Sequence, residues 1–207
     1  MIELYVDRST ETQSVALAKD GAIACDRVFE GADSRSGDWV MKVREFLETC
    51  GAGIKDLDRI VVGIGPGSFA GIRAALAFAQ GVALGSKCEV KGLPSANALA
   101  AAAEGPFAVV GDARRGMYWI ALFDGARPVV PVFQVTEAEL GLRVPLSAKV
   151  VTPDAKRIDA KLKEIFEDRY LGGRVPLAVD LARAARESGA RLVDEPLPLY
   201  LNPAVRD

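Results

Sequence analysis

The amino-acid sequence predicts an α/β protein of two related lobes, each built on a mixed sheet, with the second lobe reduced. Three observations lead there. The first half reads strand, strand, strand, helix, strand, helix, strand, helix: an antiparallel meander followed by helical crossovers. The strand–turn–strand–turn–strand plan recurs in outline after Pro106, without sequence identity. At 207 residues the chain can form one large domain or two small lobes.

The elements follow in order. Ile2 to Val6 is an apolar strand, and Asp7-Arg8-Ser9-Thr10-Glu11 is a polar turn. Ser14 to Ala18 is a second strand ending at Asp20-Gly21, a hairpin signal, and Ala22 to Phe29 is the third. Asp38 is placed to cap a helix carrying Trp39, Val40, Val43, Phe46 and Leu47 at helical spacing and closing near Gly51. Ile60, Val61, Val62 and Ile64 form the short, mainly β-branched run of a strand covered on both faces. Gly65, Pro66 and Gly67 break it, and Gly71 through Ala83 holds almost only good helix formers and small residues. Glu89 to Leu93 is a further strand, after which Ser95 caps an alanine-rich helix to Glu104.

In the second half, Phe107 to Val110 and Met117 to Phe123 are strands around Asp112-Ala113-Arg114-Arg115-Gly116. Asp124-Gly125 turns into a strand from Val129 to Val135. A strand at Lys149-Val150-Val151, a helix near Asp154 to Phe166, a loop at Gly172-Gly173 and a helix from about Leu177 to Glu187 follow. The tail runs through Pro196-Leu197-Pro198-Leu199-Tyr200-Leu201-Asn202-Pro203. The first lobe is expected over residues 1–104 and the smaller second lobe over 105–207, with a C-terminal tail able to pack back on the first. The turns at Asp20-Gly21 and Asp124-Gly125 should open corresponding third strands.

Composition narrows the chemistry. A net charge of -2 and a pI near 5.4 disfavour a stand-alone nucleic-acid binder. The first residues lack the basic and apolar regions of a secretory signal. Cys25, Cys50 and Cys88 lie far apart, which points to reduced thiols in a cytoplasmic protein. There is no histidine, so serine-hydrolase chemistry and histidine-bound zinc are excluded, while carboxylate-held Mg²⁺ remains open.

The segment from Arg59 to Gly85 carries the strongest signal. Strand, glycine turn and helix start can form an anion cradle from free N–H groups and the helix dipole, or can simply pack. It matches neither a Walker A loop nor a nucleophile elbow, and only a degenerate dinucleotide fingerprint. Gly71, Ala74, Ala75, Ala77, Ala79, Gly81, Ala83 and Gly85 leave much of the helix without bulk, so another backbone can approach closely. Arg73, Gln80 and the helix's length, well below about 20 residues, argue against a membrane span. Asp7 either binds metal or phosphate or closes a local turn to Ser9 or Thr10. Ser68 either meets a phosphate or caps the helix. Arg73 pairs with a partner acid or is solvated. Arg114 and Arg115 touch nucleic-acid phosphates or decorate a hairpin.

Paired β-β-β-α-β-α lobes resemble the actin-like ATPase (ASKHA, ribonuclease H-like) fold. Asp7-x-Ser9-Thr10-Glu11-x-x-Ser14-Val15-Ala16-Leu17, Gly65-Pro66-Gly67-Ser68-Phe69-x-Gly71-Ile72-Arg73, Ala79-Gln80-Gly81-x-Ala83, Asp112-Ala113-Arg114 with Tyr118, and Tyr200-Leu201 resemble the bacterial TsaB (YeaZ) family. Such chains are also called Gcp-like, or M22 glycoprotease-like. The resemblance covers most of residues 1–125. It implies a non-catalytic paralogue of TsaD, the transferase that places a threonylcarbamoyl group on adenosine 37 of tRNA (t6A). It implies pairing with a TsaD-like transferase and a TsaE-like ATPase, a homodimer when alone, tRNA contact mainly through the complex, a cytoplasmic location and no membrane. No catalytic residue or bound metal is expected and no cofactor is required, although ATP or ADP with Mg²⁺ is allowed at the partner interface. The expected partner surface is Trp39, Val43, Arg73, Ala74, Ala77 and Gly81; the candidate phosphate contacts are Asp7, Ser9, Thr10, Gly65, Gly67 and Ser68. The competing reading is an autonomous small ATPase or kinase of the same fold, with Asp112 its best-placed acid. Two departures stand out: Ala70 replaces the family's usual threonine, and Arg35-Ser36, within an unusual Ser34–Trp39 stretch, occupies the place of a frequent His-Ser.

With no histidine and no cysteine cluster, only hard oxygen ligands are on offer. Metal analysis of the purified protein is expected to return no stoichiometric zinc or iron.

Overall fold

Apolar residues alternate along the first strand, β1 (Ile2–Asp7), so Leu4 and Val6 enter one core and Tyr5 the other. The computed structural model describes residues 1–30, 38–187 and 190–201. In it β1 pairs antiparallel with β2 (Gln13–Lys19), which pairs antiparallel with β3 (Ala22–Phe29) across the Asp20-Gly21 turn. After α1 (Trp39–Thr49), β4 (Arg59–Gly63) lies parallel to β1 on its other side. After α2 (Phe69–Leu84), β5 (Glu89–Leu93) extends the sheet in parallel, and α3 (Ala96–Ala100) follows. The strand order is β3-β2-β1-β4-β5. The helices α1 and α2 bury Trp39, Val43, Phe46, Ile72, Ala75 and Phe78 against one face.

The second lobe repeats the order. β6 (Pro106–Arg114) and β7 (Met117–Asp124) form a hairpin, and β8 (Arg127–Pro128) and β9 (Phe133–Thr136) both pair antiparallel with β7. Past α4 (Glu137–Arg143), β10 (Lys149–Thr152) lies parallel to β6. Past α5 (Ala155–Phe166), β11 (Tyr170–Gly173) lies parallel to β10. The order β11-β10-β6-β7-β8 mirrors the first sheet strand for strand, so the two Asp-Gly turns do open corresponding third strands. The last helix, α6 (Ala178–Glu187), returns to the first lobe. Its Leu181 and Ala182 pack with Tyr5, Ala16 and Val61 on the face opposite α1 and α2.

Several elements differ from the sequence expectation, each for a physical reason. The third strand of the second lobe is split, because Pro128 and Pro131 cannot donate to a ladder. Gly172 and Gly173 belong to β11 and not to a loop, because the strand is held by pairing of Tyr170 with Val150 and of Gly173 with Thr152. α4 went unread; a Thr136–Glu139 capping box starts it. α3 spans only five residues and does not reach Glu104, and neither Ser95 nor Asp38 caps its helix through the side chain. Ser95 Oγ instead accepts from Gly65 N at 3.1 Å. Arg35-Ser36, the rest of the stretch 34–37 and the tail from Asn202 lie outside the described residues.

The cysteine expectation is overturned as well. Cys25 on β3 and Cys50 just past α1 form a disulfide, and Cys88 alone is a buried free thiol. The strand–helix crossover brings Cα atoms 25 residues apart in sequence to 6.4 Å, a spacing a bridge can span. Closing a loop of that length removes roughly 3 kcal/mol of unfolded-chain entropy. Reduction, or Cys25→Ser, is expected to lower Tm by about 6–12 °C in a thermal melt. Equal melts with and without reductant would mean the bridge contributes nothing.

Candidate functional site

Three glycines let three chain segments meet at the end of β1. A Cβ on Gly67 would lie 2.1 Å from Ser9 O, one on Gly71 2.1 Å from Arg8 O, and one on Gly63 2.0 Å from Asp7 Oδ2. The turn after β4 therefore sits directly on the backbone of the turn after β1, and Ser68 N donates to Ser9 O at 2.7 Å. Gly65 takes the left-handed φ of +94° that starts this turn. Ser68 resolves to a helix cap: its Oγ accepts from Gly71 N at 3.2 Å.

Asp7 lies beneath this junction, fully buried. Its Oδ1 accepts from Ser9 N at 2.9 Å and from Ser9 Oγ at 2.6 Å. Its Oδ2 lies beside Ser95 Oγ without a hydrogen bond of normal geometry. Burial pushes the Asp7 pKa above the usual carboxylate range, and the Ser9 and Ser95 hydroxyls offset this only in part. Thr10 Oγ1 donates to Thr12 O. Three N–H groups of the expected phosphate cradle are thus spent internally: Gly65 N on Ser95, Ser68 N on Ser9, Gly71 N on Ser68. With a buried carboxylate below them, these three donors are not on offer to a phosphate.

The second lobe repeats the local motif at Asp112. Its Oδ1 accepts from Arg114 N at 2.7 Å, as Asp7 Oδ1 does from Ser9 N. The surroundings differ. Arg157 Nε donates to Asp112 Oδ2 at 2.6 Å, and the Arg157 guanidinium also reaches Asp154. Asp154 accepts from Asp112 N at 2.8 Å; burial raises its pKa, and the Asp112 N–H and the Arg157 charge hold it down. Arg114 and Arg115 sit at the hairpin tip with positive φ. Between the lobes lies an open cleft of about 1800 Å³, bordered by Thr10 and Ser68 on one side and by Asp112 and Arg157 on the other. The tail crosses it: Leu199 N donates to Ile64 O, and the Tyr200 ring lies 5.3 Å from that of Phe69.

The expected partner residues divide. Trp39 and Val43 are buried in the first lobe's core, so they do not form a surface; Val40 and Met41 are the exposed residues of that turn. Arg73, Ala77 and Gly81 are exposed and Ala74 is half-buried. With Phe69 and Leu84 they form one open strip of α2, and the Arg73 guanidinium lies 4.9 Å from the Phe69 ring centroid. Phe69 and Tyr200 were not singled out from sequence, because only the fold brings the tail to α2.

Two lobes with mirrored sheets about a cleft define an actin-like (ASKHA) fold. EutJ from Carboxydothermus hydrogenoformans shares it at TM-score 0.50 and 14% identity over 89% of each chain. The sequence model of the family described as "TsaD: tRNA N6-adenosine threonylcarbamoyltransferase" matches residues 37–150, more than half of the chain. The tRNA threonylcarbamoyladenosine biosynthesis protein TsaB of Escherichia coli is 34% identical over 123 residues, 56% of this chain and 52% of that protein. Its Bacillus subtilis counterpart is 28% identical over 59% of this chain and 55% of that protein. A Pseudomonas aeruginosa protein described as similar to peptidase YEAZ superposes at TM-score 0.76, with 22% identity over 97% of this chain and 99% of its own. The chain belongs to this family, in its TsaB (YeaZ) branch. Its matches span about half the length of those two curated relatives. No helix among the described residues is long and apolar enough to cross a membrane.

The raised pKa of Asp7 sets the sign of its pH effect. With the folded pKa above the unfolded one, the ionised carboxylate opposes folding: stability falls as pH rises from the unfolded value through the folded one, and the full cost applies above it. An Asn at this position still accepts both Ser9 bonds. Asp7→Asn is therefore expected to be at least as stable as wild type at pH 7 and to lose that advantage near pH 3, in urea melts across pH. A variant markedly less stable at pH 7 would show that the charge itself is needed.

Proposed function

We propose that this chain is a non-catalytic scaffold and activating subunit for bacterial t6A synthesis, pairing with a TsaD-like transferase and with a TsaE-like ATPase. The observation that carries the non-catalytic reading is the engagement of both lobe aspartates. Asp7 is sealed under the glycine junction and Asp112 is held by Arg157, so neither is free to act as a base. An autonomous kinase or ATPase needs such an acid, which counts against that alternative. A protease needs a nucleophile–base pair or zinc ligands, and the chain has no histidine. The names of the E. coli and B. subtilis relatives support the pathway.

The partner surface is the exposed strip of α2, together with the exposed Val40 and Met41 of α1. At Ala77 and Gly81 a helix axis can approach at the short end of about 8–10 Å, with Arg73 at the rim. The same strip closes a two-fold homodimer when the partner is absent. Contacts with tRNA come mainly through the complex, and no nucleotide step is assigned to this chain.

The test is co-purification and titration with the host's TsaD-like subunit. Ala77→Arg is expected to weaken binding by roughly tenfold or more, while circular dichroism and melting stay those of wild type. Undiminished affinity in a folded Ala77→Arg protein would remove α2 from the interface. Appreciable ATP turnover by the purified chain alone would overturn the non-catalytic assignment.

A further inference from the structure

Arg8, next to Asp7, is only 2% exposed. Its guanidinium lies 4.3 Å from the centroid of the Trp39 ring, and its Nε has no hydrogen-bond partner. The indole Nε1 of Trp39, itself buried, has none either. Trp39 is the first residue of α1, an eleven-residue helix that Asp38 does not cap through its side chain. Two buried donors without acceptors thus lie at a helix start that no side chain among the described residues caps.

Each feature asks for the same thing. An arginine cannot escape burial by shedding its proton. Burial lowers the Arg8 pKa, and no carboxylate among the described residues opposes that shift. A buried cation without a counter-charge is strongly unfavourable, and so is a buried N–H without an acceptor. The first turn of α1 adds free N–H groups and the positive end of its dipole. Asp7 does not supply the charge, since it is engaged with Ser9 and faces Gly63.

We propose that Arg8, Trp39 Nε1 and the first-turn N–H groups of α1 bind a small oxyanion of the phosphate or sulfate type. Among the described residues the site offers donors only, which suits an anion and not a metal cation. A guanidinium fork, an indole N–H and helix amides suit several oxygens on one compact anion. The Arg8 backbone belongs to the glycine junction, while its side chain lies over Trp39 at the start of α1. The rival source of the same chemistry is a carboxylate of this chain, Asp33, which lies outside the described residues.

The test uses the full chain carrying Trp119→Phe, so that Trp39 is its one tryptophan. Inorganic phosphate and then sulfate are titrated against chloride at matched ionic strength, following fluorescence and Tm. A saturable change is expected, with a Tm rise of about 5 °C or more well above saturation. Arg8→Met should abolish both responses and keep its anion-free Tm within about 2 °C of the parent or raise it, because an apolar side chain replaces a buried unpaired charge. Trp39→Phe, read by Tm alone, should reduce the anion-induced rise. No saturable response in the parent, or a response undiminished in these variants, overturns the proposal. An Asp33→Asn variant whose Tm drops by about 10 °C or more in anion-free buffer assigns the counter-charge to that carboxylate and overturns it as well.

Discussion

The first lobe depends on one close approach: the turn after β4 resting on the backbone of the turn after β1. Gly67 against Ser9 and Gly71 against Arg8 leave no room for a Cβ. That contact sets where α2 begins, and Ser68 fixes the beginning by capping Gly71. It seals Asp7 from solvent, so a carboxylate at the tip of the central strand becomes part of the core. It also spends the N–H groups that a glycine loop would offer an anion. The same string of residues that reads as a phosphate cradle is here a packing junction, because the acceptors come from the chain itself.

The lobes show how one local motif takes two outcomes. Asp7 and Asp112 end equivalent strands, and each accepts the N–H two residues on. In the first lobe a serine hydroxyl supplies the second bond and the site closes. In the second lobe the residue two on is Arg114, the hairpin continues, and Arg157 from α5 provides the counter-charge at the cleft's edge. Asp112 is paired with Arg157 and only partly buried at the cleft's edge, whereas Asp7 is sealed and carries a pKa raised by burial. An actin-like frame is retained while both its carboxylates are engaged by donors of the chain itself.

Much of this was legible in the sequence where a signal is local. The β-branched run Ile60–Ile64, the two Asp-Gly turns and the small-residue helix have backbone preferences strong enough to survive tertiary packing, and all three appear in place. What could not be read depends on partners distant in sequence. β11 is held by its ladder with β10, not by the propensity of Leu171-Gly172-Gly173. The Cys25–Cys50 bridge needs the crossover that places α1 over the sheet. Trp39 and Val43 have the spacing of a helix face, but spacing alone does not say whether that face meets the core or a partner. Here it meets Leu4, Val6 and Phe29, and Val40 and Met41 are the residues of that turn left exposed.

The tail completes this argument. After α6 the chain pairs Val193 with Gly92 on the free edge of β5, where a Cβ on Gly92 would strike Pro196. Covering that edge removes a row of unpaired backbone groups that would otherwise invite strand addition. The constraint then propagates: Leu199 is drawn onto Ile64, and Tyr200 onto Phe69 at the start of α2. The exposed strip of α2 is thus bounded at one end by an aromatic pair whose second member comes from the end of the described chain. Aromatic rings beside an arginine are the residues that most often anchor interfaces. In the proposed interface the small residues further along α2 would let a partner approach closely, while Phe69, Tyr200 and Arg73 would give it something large to grip. A surface of that composition is built by the return of the tail, and no part of the helix sequence alone contains it.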